Sequence, residues 1–201
     1  SEITPGSNSI VTAWVAASIP VLRTPEGLGG TGVAGGDGDD GISGGDGDDT
    51  VVGGSGNDYI LGGQGNDNLS GNSGNDAILG DTGNDTISGG DGDDGLYGND
   101  GDDVIAGGKG NDYIEGGQGN DQIKGDSGND IILGNTGDDV LSGGDGDDYI
   151  EANDGNDTVT GGNGNDVIVG GMGNDLLTGN AGNDEIFGDT GNDTISGSDG
   201  N

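Results

Sequence analysis

Apolar residues return along most of this chain at a fixed interval of nine. From Gly35 to Ser196 the sequence reads as one nine-residue unit repeated eighteen times without insertion or deletion. With GGSGNDYIL (Gly53 to Leu61) as the type, position 8 is Ile, Leu or Val in every copy, position 4 is always Gly and position 6 is always Asp. Position 1 is Gly in all copies except the one beginning at Ala152, and position 5 is always Asn or Asp. Glycine at positions 1, 2 and 4 predicts a tight turn over the first six residues. The last three predict a short strand whose middle side chain points in and whose outer two point out. Such a unit buries its apolar side only by stacking on its neighbours. Two units make a coil of 18 residues, so the expected fold is an all-β parallel roll of about nine coils, with turns and strands stacked along two sides.

The two sides of that roll differ in polarity. Repeats beginning at 35, 53, 71 and onward by 18 carry all four tyrosines, Tyr59, Tyr97, Tyr113 and Tyr149, together with Phe187. Leu61, Leu79, Ile131, Leu133, Val167 and Val169 fall on the same side. The other side shows mostly Thr, Ser, Asn, Gln and Lys, with scattered Val and Leu. A continuous apolar and aromatic stripe predicts a buried lateral contact, made either by the N-terminal arm or by another chain. A longer period overlies the short one: residues 35 to 88, 89 to 142 and 143 to 196 are three blocks of 54, the first two agreeing at 37 of 54 positions.

Composition turns this pattern into a chemical question. The chain of 201 residues has 54 Gly, 26% hydrophobic residues, and 39 acids against 3 bases, for a net charge of -36. Repulsion and glycine entropy on that scale oppose collapse, so folding calls for a bound cation. Without Cys or His there is no thiolate or imidazole ligand, and oxygen is the available donor. Carboxylates and main-chain carbonyls in a flexible site suit calcium better than magnesium. A polyanion of this kind is not expected to bind nucleic acid.

These repeats resemble the RTX calcium-binding nonapeptide, G-G-x-G-x-D-x-U-x, over residues 35 to 196. The resemblance implies a right-handed parallel β-roll that folds when calcium enters each gap between repeat n and repeat n+2. It also implies that the position-6 Asp supplies side-chain ligands and the glycine-turn carbonyls the rest. Carried over, the ligands on one flank are Asp40, Asp58, Asp76, Asp94, Asp112, Asp130, Asp148, Asp166 and Asp184. On the other they are Asp49, Asp67, Asp85, Asp103, Asp121, Asp139, Asp157, Asp175 and Asp193. Eighteen repeats leave about sixteen internal gaps, and sixteen divalent ions would bring the formal charge from -36 to -4. Position 5, where Asn and Asp interchange, is expected to hydrogen-bond the turn rather than the metal.

Ser1 to Ala34 form an arm of a different kind. Ser9 to Leu22 is its apolar stretch, with Ile10, Trp14 and Val15 as candidate contact residues, and its Val, Ile and Thr content favours an extended strand. It is too short and interrupted to span a bilayer. The arm either caps the first coil of its own roll or docks on a neighbouring molecule. Residues 26 to 34 read as a decayed repeat, with Gly29 at position 4 and Val33 at position 8. Gly197 to Asn201 begin an incomplete nineteenth repeat, so the last coil offers an unpaired edge on which another molecule could stack.

Enzymatic chemistry is not expected. Gly125 to Gly128 spell GDSG, but a serine nucleophile without any His lacks its base. The Asp-rich loops lack the helices and the twelfth-position Glu of an EF-hand. The leading expectation is a secreted, calcium-dependent structural protein that self-associates, end to end or laterally, into a surface or matrix fibre. The alternative is a calcium-responsive RTX segment of a larger secreted toxin, enzyme or adhesin. Ice binding is disfavoured, because position 3 runs Asp, Asp, Ser, Gln, Ser, Thr through the first block instead of presenting a regular Thr or Asn array.

Overall fold

The computed structural model describes residues 22–23, 30 and 32–198, and among them there is no helix. A two-residue strand, β1 (Leu22–Arg23), precedes β2 (Gly32–Asp37) and β3 (Gly41–Asp46). One strand then follows every nine residues, through β19 (Glu185–Thr190) to β20 (Thr194–Ser196). Odd-numbered strands form one ten-stranded parallel sheet and even-numbered strands another, each in sequential order. The chain crosses from one sheet to the other at every turn, so each coil contributes one strand to each and spans 18 residues. Register is constant: Ile60 pairs with Ile78 and Leu61 with Leu79. The expected solenoid of about nine 18-residue coils is therefore what the chain forms.

The strands are longer than expected. Each of the regular ones covers six residues, such as Tyr59–Gln64, and runs from position 7 through position 3 of the following repeat. Only positions 4 to 6 turn, not the first six. The reason lies in the backbone: N–H and C=O groups inside a stacked coil need partners, and the coil above supplies them wherever the chain stays extended. Gly63 and Gln64 accordingly pair with Asp81 and Thr82. Even the turn is bonded from coil to coil. Gly56 N–H donates to the Ser73 carbonyl at 2.9 Å, and Tyr59 N–H donates to the Asp40 carbonyl at 2.8 Å.

Alternation along each strand sends positions 7 and 9 outward and positions 8 and 1 inward. The aliphatics at position 8, from Val33 to Leu177, make one continuous buried core. Position 1 points into the same interior but carries no side chain, except at Ala152, which is fully buried. Burial falls away towards the last described coil, where Ile186 is partly covered and Ile195 is 50% exposed. At the other end β1 extends the odd sheet by pairing Leu22 with Ile42 and Arg23 with Ser43. That spacing of twenty residues falls outside the nonapeptide register. The apolar stretch with Ile10, Trp14 and Val15 lies outside the described residues, as do the decayed repeat up to Gly29 and the chain beyond Ser198.

Candidate metal sites

Each turn is a Gly–Asx–Asp tripeptide, and position 4 is where the sequence has least freedom. Its φ lies between +103° at Gly38 and +157° at Gly155, a region closed to L side chains. From Gly56 on, a Cβ there would also press into the backbone of the coil before; at Gly56 it would stand 2.5 Å from the Gly38 carbonyl oxygen. Position 2 is likewise left-handed but less demanding. Where it is Asn or Asp, as at Asn72 and Asp81, φ contracts to +75°, which these short polar residues tolerate.

The turn places two neighbouring side chains in opposite settings. The position-6 carboxylate points inward, and from Asp49 to Asp175 none of these residues is more than 3% exposed. Its Oδ1 accepts the backbone N–H of the equivalent Asp one coil earlier, as Asp58 does from Asp40 at 2.8 Å and Asp103 from Asp85 at 2.7 Å. The position-5 side chain points outward, and its Oδ1 accepts from one coil later: Asp39 from Asn57 N–H at 2.8 Å, Asn57 from Asn75 N–H at 2.8 Å. The expected turn bond at position 5 thus runs between coils. Period and composition alone do not reveal these two ladders or their opposed directions.

The second oxygen of the inward carboxylate is the unresolved atom of the fold. From Asp58 to Asp184, at every ninth residue, Oδ2 is buried without a hydrogen-bond partner. An orphaned buried carboxylate oxygen costs far more than a made hydrogen bond returns, so one in each turn of this run points to a missing ligand. The same oxygens set the need for glycine at position 1. A Cβ at Gly62 would lie 2.5 Å from Asp67 Oδ2 and 2.7 Å from the carbonyl oxygen of Gly80, the position-1 residue one coil on. Carboxylate and carbonyl oxygens from repeats n and n+2 therefore crowd the space beside each position-1 glycine.

Electrostatics act in the same direction. Burial raises the carboxyl pKa to about 6 at Asp58, Asp67, Asp76, Asp121 and Asp157, and to about 7 at Asp85, Asp112, Asp139 and Asp148. The backbone hydrogen bond to Oδ1 offsets part of that rise, and stacked neighbours such as Asp103 beside Asp85 add to it. A divalent cation removes the penalty by neutralising the ladder. Among the described residues no three acidic side chains converge on one point. A cation held here must therefore complete its shell from turn carbonyls, as flexible calcium sites do. The donors are all oxygens, one oxygen per turn is unpaired from Asp58 to Asp184, and the residues present fit calcium.

The position-6 aspartates are brought into two buried columns, one per flank, with Asp40 at the N-terminal margin and Asp184 and Asp193 only partly covered. Tyr59, Tyr97, Tyr113, Leu133, Tyr149 and Phe187 all lie on the outer face of the odd sheet. There Tyr97 and Tyr113 meet with ring centroids 5.8 Å apart, and the Tyr149 hydroxyl donates to Glu151 Oε2 at 3.1 Å. Large exposed aliphatics are not confined to that face, since Val104, Val140 and Leu176 are about half exposed on the even sheet. Position 3 adds surface pairs between successive coils. Lys109 Nζ lies 2.7 Å from Asp91 Oδ1, and the Gln118 side-chain amide donates to Asp100 at 2.8 Å.

Fold and turns together define a calcium-type β-roll, a parallel solenoid with a carboxylate buried at every turn. The RTX calcium-binding nonapeptide repeat matches residues 34–69, 70–105, 97–132, 133–168 and 169–201, and the chain belongs to that family. No curated protein matches it. No helix among the described residues is long and apolar enough to cross a membrane.

Proposed function

We propose that this protein is a secreted, non-enzymatic scaffold that folds when calcium enters the gaps between repeats n and n+2. About sixteen internal ions are held by the position-6 aspartates from Asp40 to Asp193 and by turn carbonyls. The observation that carries this reading is the buried, partnerless Oδ2 from Asp58 to Asp184. A net charge of -36 supports it further, because the free chain resists compaction until that charge is balanced. Low calcium inside cells and higher calcium outside would keep such a chain unfolded until export.

Self-association belongs to the same proposal. Tyr59, Ile131, Tyr149 and Phe187 are each 38 to 48% exposed on the odd sheet, an apolar surface suited to lateral packing of rolls into a fibre. The test is circular dichroism, hydrodynamic radius and electron microscopy of the chain with calcium and after chelation. The expected outcome is β-structure and compaction on calcium addition, reversed by chelator, with higher assemblies at millimolar calcium. Unchanged spectra and radius on chelation would overturn the calcium reading. Monomers alone at millimolar calcium would overturn the assembly.

A further inference from the structure

One repeat breaks the position-1 rule, and the structure shows a local consequence. Position 1 is Ala only at residue 152. In the glycine repeats a Cβ at this position would collide with the repeat's own carboxylate and with the position-1 carbonyl of the next coil. At Gly35 those distances are 2.5 Å to Asp40 Oδ2 and 2.6 Å to the Gly53 oxygen. Ala152 does carry that Cβ, and it is completely buried.

The turn it opens deviates from the others. Gly155 has φ of +157°, whereas the remaining position-4 glycines range from +103° to +149°. A Cβ at Gly155 would meet Asp157 Oδ1 at 2.9 Å, and at Gly191 in the last coil the equivalent Asp193 Oδ1 would stand at 3.3 Å. The space beside Gly155 is thus bounded by the carboxylate of its own turn as well as by the coil before. The coil-to-coil ladder is unaffected: Asp139 N–H still donates to Asp157 Oδ1 at 2.8 Å. Asp157 Oδ2 remains buried without a partner. The difference is therefore confined to the turn itself, at Gly155 and the Asp157 carboxylate.

We propose that Ala152 makes the gap between the repeats beginning at residues 152 and 170 the weakest interior calcium site of the roll, and the first interior place it opens when calcium falls. The inference rests on the ligand reading above. Calcium needs its oxygens at about 2.3 to 2.6 Å, and a methyl group among them displaces the set by a few tenths of an ångström. Because calcium tolerates irregular shells, the site weakens instead of vanishing, on the order of 10–100-fold as for other changes next to metal ligands. An internal control exists one 54-residue block earlier. There Gly98, Asn99, Asp100 and Gly101 stand where Ala152, Asn153, Asp154 and Gly155 stand, and both asparagines have nearly the same φ, +76° and +79°.

The experiment is a calcium titration of the full chain by native mass spectrometry and calorimetry, on the parent, A152G and G98A, with hydrogen exchange at sub-saturating calcium. The parent should bind one ion about 10–100-fold more weakly than the rest. A152G should merge that ion with the main class, and G98A should create a second weak one. Amides from Asp157 to Asp175 should exchange before those from Asp103 to Asp121 in the parent, with that difference lost in A152G. Calcium binding that is indistinguishable between parent and A152G by both readouts overturns the proposal while leaving the calcium reading intact. Absence of calcium uptake in either protein overturns both. Should G98A fail to fold, A152G against the parent decides alone.

Discussion

Positions 5 and 6 of each repeat carry nearly the same side chain, one residue apart, and the structure uses them in opposite ways. At position 5 the Asx group faces solvent, and its Oδ1 takes a backbone N–H from the following coil, as Asp93 does from Asn111 at 2.8 Å. At position 6 the carboxylate faces the interior, and its Oδ1 takes an N–H from the preceding coil, as Asp112 does from Asp94 at 2.9 Å. Both ladders need one acceptor oxygen, which Asn and Asp supply equally well. Yet Asn alternates with Asp at position 5 and never enters position 6. What separates them is the second oxygen. At position 6 it is buried and partnerless, and an amide nitrogen in its place would face carbonyls without binding a cation. The difference between the two ladders is one of burial and charge at the second oxygen, since both make the same backbone hydrogen bond.

The sharpest way to break this contrast is to make the same substitution on both ladders. D112N keeps Oδ1 for Asp94 but removes Oδ2, so it should lower calcium stoichiometry or weaken a site on the order of 10–100-fold. D93N, on the outer ladder, should leave both unchanged. Calorimetric titration reads the difference, and equal losses would erase the distinction. A second test removes the cation and varies the proton. The folded pKa values of about 6 at Asp121 and about 7 at Asp139 exceed the ordinary carboxyl value, so the calcium-free roll prefers the protonated form. Its stability in chelator should therefore rise as pH falls from about 7 towards 4, and be lost again as pH rises through that window. Circular dichroism at constant ionic strength checks the sign, and a roll that weakens on acidification contradicts it.

Smaller effects belong to the outer surface. Within each flank no two acids are adjacent in the position-5 ladder; Asn120, for example, lies between Asp102 and Asp138. N120D stacks three acids and should destabilise the calcium-loaded roll by about 0.2 to 1 kcal/mol, an effect that fades with added salt. Thermal unfolding at low and high ionic strength measures it. K109A removes the exposed pair with Asp91 and should cost about 0 to 1 kcal/mol, with calcium stoichiometry unaltered. A large loss there would mean that surface pairing between coils matters more than the inner ladder.

Much of this design was legible before the structure. The aliphatic at position 8 is buried from Val33 to Leu177, the position-6 aspartates form buried columns, and the four tyrosines share one sheet with Phe187. These follow from a strict period, because every copy repeats the same vote on which side chain points in. Strand length was not legible. Positions 1 to 3 are glycine and small polar residues without a hydropathy signal, and their pairing, as of Gln64 with Thr82, depends on a coil 18 residues away. The half-exposed Val104, Val140 and Leu176 on the even sheet also weaken the expected contrast between an apolar and a polar face.

The order of residues alone determined the period, the two-sided roll, the aliphatic core and membership of a calcium-binding repeat family. Each of these follows from local chemistry repeated often enough that no distant contact can reverse it. Only the stacked structure decided the direction of the two Asx ladders, the burial of Oδ2 and the crowding that a Cβ at position 1 meets. Those properties arise between residues 18 apart, where the spacing of one strand above another, about 4.8 Å, sets which atoms can meet. For that reason Ala152, a one-methyl departure in the sequence, becomes a coordination question only when the Gly170 coil lies on top of it.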